Sequence, residues 1–213
     1  MRATFEGRVG DVSPVETSGA SPSAVLVPLY PSDQGIHVVL TRRASTLRTH
    51  QGEVSFPGGR SDPGETPVQT ALREAGEEIS LDTASATPLG ELDHLSTVTR
   101  RAYIVPVVAW LEERPELSPS EAEVAAVLHV PLSELLDLGV YREERWGTPP
   151  ADRPVHFFEL QGDTVWGATA AMLRQFFTLA LGLPTEPREV WDPAGGSGTG
   201  LWAPPAGFLG GVV

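Results

Sequence analysis

The sequence predicts an α/β protein, an α/β/α sandwich with a mixed central sheet. Three observations lead there. Short β-branched and apolar runs fall both before and after one acidic amphipathic helix, so strands do not alternate one-for-one with helices. A second amphipathic stretch comes late, at 168–181, so helices flank the sheet. The length, 213 residues, suits one domain with a substantial core.

In chain order, residues 1–21 are small and polar and read as a loose N-terminal arm with room for a short strand. Residues 24–29 (AVLVPL) read as a buried strand that Pro28 pushes towards a sheet edge, because proline cannot donate to a ladder. After a turn at 31–35, IHVVLTR at 36–42 is a stronger strand. Beyond the acidic helix, 88–95 and 103–110 read as strands, the second interrupted by Pro106. Residues 121–130 (EAEVAAVLHV) fit helix or strand, since a short apolar run does not decide between them. A short helix at 131–138, strands at 141–146 and 154–160, an extension at 164–166 and the helix at 168–181 complete the domain. Residues 184–213 form a Gly/Pro-rich C-terminal tail.

The acidic helix carries the chemistry. In GRSDPGETPVQTALREAGEEISL, at 59–81, Thr66 is an N-cap, Pro67 the first helical residue and Gln69 the partner that completes a capping box. Val68, Ala71, Leu72, Ala75 and Ile79 form one apolar face. At ~100° per residue, Glu74 and Glu78 lie roughly 40° apart beside that face, at the border of core and solvent. Glu77 lies about 60° further round, away from the core. Crowded carboxylates on one turn repel by roughly 0.2–0.5 kcal/mol per pair, and a hard divalent cation removes that repulsion. Taken alone, such a cluster is more often the mark of a solvated helix face.

Composition narrows the partners. The net charge is −13 and all fifteen basic residues are arginine. So acidic a chain is a poor candidate for nucleic-acid or membrane-surface binding, while arginine suits local phosphate contacts. The absence of cysteine excludes disulfides and thiolate metal sites and fits a cytoplasmic protein. No apolar run reaches membrane-spanning length.

Two motifs turn the reading towards a family. Gly59, five residues, Glu65, seven residues, then Arg73-Glu74-Ala75-Gly76-Glu77-Glu78-Ile79-Ser80-Leu81 resembles the Nudix box of the Nudix hydrolases. Ser80 departs from it: the family usually has Gly there, which suits a left-handed helix exit. Just before the box, LTRRASTLRTHQGEVSFPGG at 40–59 resembles the motif of coenzyme A pyrophosphatases within that family, through Leu40, Thr41, Arg43, Ala44, Arg48, Gly52, Phe56, Pro57, Gly58 and Gly59.

The resemblance implies the Nudix α/β/α sandwich over 22–183. It implies hydrolysis of the pyrophosphate bond of coenzyme A or a derivative, giving 4′-phosphopantetheine and adenosine 3′,5′-bisphosphate, with Mg²⁺ or Mn²⁺. Glu74 and Glu78 are the expected metal ligands, and Glu77 a third ligand or second-metal partner. The water's proton acceptor is left open between these acids and a Glu of the 112–123 loop. Arg73 is expected to orient a carboxylate. Arg42, Arg43, Arg48 and His50 are expected to meet phosphate, His50 being equally suited to fixing its loop. Gly58 and Gly59 are expected to permit close backbone approach. Two rivals stand beside this reading: a Nudix hydrolase of ADP-ribose or another nucleoside diphosphate derivative, and a non-catalytic nucleotide sensor. The oligomeric state is not read from the sequence.

Overall fold

Residue alternation along one long strand explains the layering. A computed structural model describes residues 1–12, 20–46, 51–97, 102–148 and 152–183. Strand β1 (Ser21–Ser32) sends Ala24, Leu26 and Tyr30 into one buried cluster and Val27 and Leu29 into another, so it is covered on both sides. It pairs antiparallel with β2 (Gly35–Arg43) and parallel with β7 (Ala102–Trp110), which makes the sheet mixed. Outside these lie β3 (Val54–Ser55), β5 (Thr87–Glu91) and β8 (Val124–Pro131), with β4 (Gly58–Arg60) paired to β1 and β6 (Leu95–Ser96) paired to β7.

Helix α2 (Pro67–Ile79) covers one face through Ala71, Ala75 and Ile79. Helix α4 (Gly167–Ala180) covers the other through Met172, Leu173 and Phe176, giving the expected sandwich. The second face also receives a three-stranded sheet, β9 (Tyr141–Trp146), β10 (Arg153–Leu160) and β11 (Asp163–Trp166), whose Tyr141, Phe158 and Val165 enter the same core. A single turn, α3 (Leu132–Leu135), joins β8 to β9 and is shorter than the expected 131–138. The ambiguous 121–130 run is strand, paired along β2. Among the described residues no helix is long and apolar enough to cross a membrane.

Two expectations are corrected. Pro28 does not mark an edge, because β1 is central. The Leu111 amide donates to the Leu29 carbonyl, so Leu29 faces β7 and Pro28 faces the other way. On that side β1 is paired to β4 over 23–25 and to β2 over 29–32. The missing N–H therefore falls where one neighbour gives way to the next. The arm is not loose over its described part either. It begins with helix α1 (Arg2–Phe5); Phe5 is fully buried and stacks on Phe176 at 5.2 Å. The Gly7 amide donates to Leu89, and Arg8 bonds Asp93. One buried aromatic ring outweighs the polar composition around it. The tail at 184–213 lies outside the described residues.

Candidate active site

The start of α2 forms as its sequence requires. Thr66 Oγ1 accepts from the Gln69 amide at 3.3 Å, and the Gln69 side chain accepts from the Thr66 amide at 2.9 Å. The helix exit uses Ser80 in the left-handed conformation, φ 55° and ψ 33°. The turn geometry is thus kept with serine in place of glycine, at some strain.

The carboxylates on and before this helix divide into two kinds. Glu65 accepts from Arg73 Nε (2.7 Å) and Nη2 (3.0 Å), from the Thr70 hydroxyl (2.9 Å) and from the Asp62 amide (2.9 Å). Those bonds, the Arg73 one foremost, hold its carboxyl down at about 2. Arg73 also donates to Glu74 (2.9 Å), to Glu77 (3.0 Å) and to the Arg60 carbonyl (3.0 Å), so it orients carboxylates as expected. Glu78 is the opposite case. It is buried, its Oε2 accepts from the Gly58 amide at 3.0 Å, and burial pushes its carboxyl up to about 7. The Gly58 bond and the Arg43 charge oppose that rise, while the charges of Glu74 and Glu123 add to it. Burial likewise raises Glu74, against the pull of Arg73. Glu77 is largely exposed, 62 % by side chain, on the solvent side of the helix as the angles predict.

Gly58 and Gly59 serve different ends. A Cβ at Gly59 would stand 2.5 Å from the Glu74 carboxyl, so glycine keeps that carboxylate's place open. A Cβ at Gly58 would stand 2.4 Å from the Ala24 carbonyl oxygen, so glycine there permits β4 to lie against β1.

Arg42 and Arg43 are adjacent on β2 and point to opposite faces. Arg43 faces α2, where its charge is felt at Glu78, and its Nε is buried without a hydrogen-bond partner. Arg42 faces the other way and binds both oxygens of Asp163 on β11, at 2.7 and 2.5 Å. The fold therefore brings together Glu74, Glu78, Gly58, Gly59 and Arg43, and sets Arg42 apart. Arg48 and His50 lie outside the described residues. Glu123 joins the acids from the 112–123 loop, whose Ser118 and Ser120 amides bond the carbonyls of Ile79 and Glu78. The resemblance leaves a Glu of that loop open as the proton acceptor without singling out Glu123.

The sequence matches the NUDIX domain over residues 20–150. The chain belongs to the Nudix family. It is 37 % identical over 155 residues to the Nudix hydrolase NudL of Photorhabdus laumondii, covering 72 % of this chain and 81 % of that one. It is 36 % identical over 183 residues to Nudix hydrolase 3 of Caenorhabditis elegans, covering 77 % and 75 %. Among solved structures, the Nudix hydrolase RenU of M. smegmatis superposes with a TM-score of 0.55 at 19 % identity, covering 80 % of this chain and 91 % of that one, which supports the Nudix fold.

Nudix hydrolases generally use divalent metals such as Mg²⁺ or Mn²⁺. Among the described residues no three acidic or histidine side chains already converge as an ion cage. The donor chemistry nevertheless suits such an ion. Glu74 and Glu78 are hard oxygen donors, both raised by burial, and the Glu123 charge bears on each.

Proposed function

We propose that this Nudix protein hydrolyses the pyrophosphate bond of coenzyme A and its derivatives in the cytoplasm, releasing 4′-phosphopantetheine and adenosine 3′,5′-bisphosphate. The observation that carries the reading is the meeting of the two motifs. Arg43, from the 40–59 motif, bears by its charge on the buried Glu78 of the box, whose Oε2 also accepts from the Gly58 amide of the same motif. A cation beside crowded carboxylates and a glycine-bearing strand suits a substrate with adjacent phosphates.

Glu74 and Glu78 would hold Mg²⁺ or Mn²⁺, with Glu77 the candidate for a second ion. A bound ion supplies charge neutralisation on phosphate oxygens and a more acidic water. The chain's own residues do the rest. Arg73 fixes Glu74, and the Gly58 amide fixes one oxygen of Glu78, leaving the other to act. Arg43 meets phosphate charge, with Arg48 and His50 as further candidates. Glu123, whose charge is felt at both Glu74 and Glu78, is the proposed proton acceptor.

The test is to incubate the purified protein with coenzyme A, ADP-ribose and diadenosine polyphosphates, with Mg²⁺ or Mn²⁺, and to identify products by mass. Metal-dependent release of phosphopantetheine from coenzyme A is the expected result. Preferential cleavage of ADP-ribose would move the substrate to the nucleoside diphosphate class, and no cleavage of any would leave a nucleotide sensor.

A further inference from the structure

A groove of about 580 Å³ opens beside the N-terminal end of α2, a volume suited to a small-molecule ligand. Pro22, Pro67, Tyr103 and Val105 supply its apolar wall, and Arg60, Ser61 and Asp62 its rim. The wall is held in place: the Tyr103 hydroxyl meets His94 Nδ1 at 2.7 Å, and His94 Nε2 meets Glu91 at 3.0 Å. Its position relative to the acids is set by the sheet. Tyr103 and Val105 belong to β7, on one side of the central β1, whereas Arg43 and the loop carrying Glu123 lie by β2 and β8, on the other. The link between the two sides is short. Arg60, at the groove, follows Gly59, which borders the Glu74 carboxylate, and the Arg60 carbonyl accepts from Arg73.

The groove is a poor home for phosphates. Arg60 is the only arginine among its described lining residues, and Asp62 stands near it in sequence on the same rim. The adjoining Glu65 carboxylate is already engaged by Arg73, Thr70 and the Asp62 amide. What is left is a largely apolar wall edged by the Ser23 and Ser61 hydroxyls, which suits an uncharged, extended group with amides to bond. A substrate cut at Glu74 and Glu78 has two arms to place, one towards β7 and one towards β2. We infer that the groove takes the uncharged, amide-bearing arm, pantetheine in the reading above, and that the phosphate-rich half lies along β2 beside Arg43. The inference rests on that reading for the identity of the arm.

Two variants test it: Ser61→Trp, which puts an indole at the rim, and Tyr103→Ala, which removes part of the wall. For each, kinetics are measured with coenzyme A and with ADP-ribose, which lacks the arm. Binding of 4′-phosphopantetheine to the full chain is measured by calorimetry, and thermal melts identify the folded variants. At least one folded variant is expected to raise KM for coenzyme A about tenfold or more beyond any change with ADP-ribose, with kcat little altered, and to weaken phosphopantetheine binding in step. Equal losses on the two substrates, or phosphopantetheine binding that is absent in the wild type or unchanged in both variants, would overturn the groove assignment while leaving coenzyme A cleavage standing. If coenzyme A is not cleaved but phosphopantetheine binds and Ser61→Trp abolishes it, the groove stands and the reaction assigned above falls.

Discussion

Glu65 and Glu78 are the same residue type, carried by one continuous stretch, and the fold treats them in opposite ways. Glu65 is saturated with donors and held at about 2, whereas Glu78 is buried with one backbone donor and pushed up to about 7. A carboxylate whose bonds are all satisfied within the chain is part of the scaffold. One left buried and short of partners awaits something from outside.

The largest difference should appear on removing the charges. Glu78→Gln is expected to lower kcat by about a thousandfold or more with the fold intact, since metal-assisted catalysis is worth several kcal/mol. Glu65→Gln is expected to lower the melting temperature first, because it unties Arg73 from the box. Circular dichroism melts beside steady-state kinetics separate the two, and the reverse pattern would exchange their roles.

The adjacent arginines give the next contrast. Arg43→Ala is expected to reduce kcat/KM by at least about tenfold, as loss of a charged contact does. Arg42→Ala is expected to act chiefly on stability, through the lost Asp163 pair. Equal kinetic losses would place Arg42 at the substrate after all. The glycines divide similarly. Gly59→Ala should displace the Glu74 carboxylate and reduce kcat by about ten- to a hundredfold, as small misplacements do. Gly58→Ala meets backbone instead and should reduce the yield of folded protein.

The two glutamates also oppose each other in pH. Glu65 lies below its ordinary 4.5, so its contribution to stability is present above that pH and is lost as pH falls through about 2. Glu78 lies above its ordinary 4.5, so its contribution is present below that pH and is lost as pH rises through about 7. In the metal-free protein the second loss is on the order of 3 kcal/mol. His156 works against it in the same range. Burial, with the Arg174 charge, lowers it from 6.5 to about 4 despite Glu143 at 3.5 Å, so its contribution is present above 6.5 and is lost as pH falls towards 4. The readout is therefore the difference between wild type and Glu78→Gln. The variant should gain relative stability between about pH 4.5 and pH 7, the two values that the linkage joins. A constant difference would mean that Glu78 does not titrate there. The smallest effect belongs to Ser80→Gly, which relieves the left-handed serine and should stabilise by about 0.5–1 kcal/mol, read as a rise in melting temperature.

Much of the site was legible because a helix has one period and a box has fixed spacing. The angles around α2 separate Glu74 and Glu78 from Glu77, and the capping box reads directly from Thr66 and Gln69. Arg42 and Arg43 were grouped as one patch of positive charge, although neighbours on a strand face opposite ways; the period of two held the signal. Pro28 misled because the change of partner that accommodates it depends on a register set by distant strands. Phe5 lacked any periodic context, and its place was settled by Phe176, far along the chain. Glu123 reaches the acids through a loop tied to the end of α2, which local pattern does not encode.

The most direct measurement is Mn²⁺ binding, followed by electron paramagnetic resonance, in the wild type and in Glu78→Gln at the same pH as the hydrolysis assay. Tight Mn²⁺ binding that the substitution abolishes together with pyrophosphate cleavage is the expected result. Undiminished Mn²⁺ binding and undiminished cleavage in Glu78→Gln would contradict the assignment of Glu78 as the carboxylate that holds the ion.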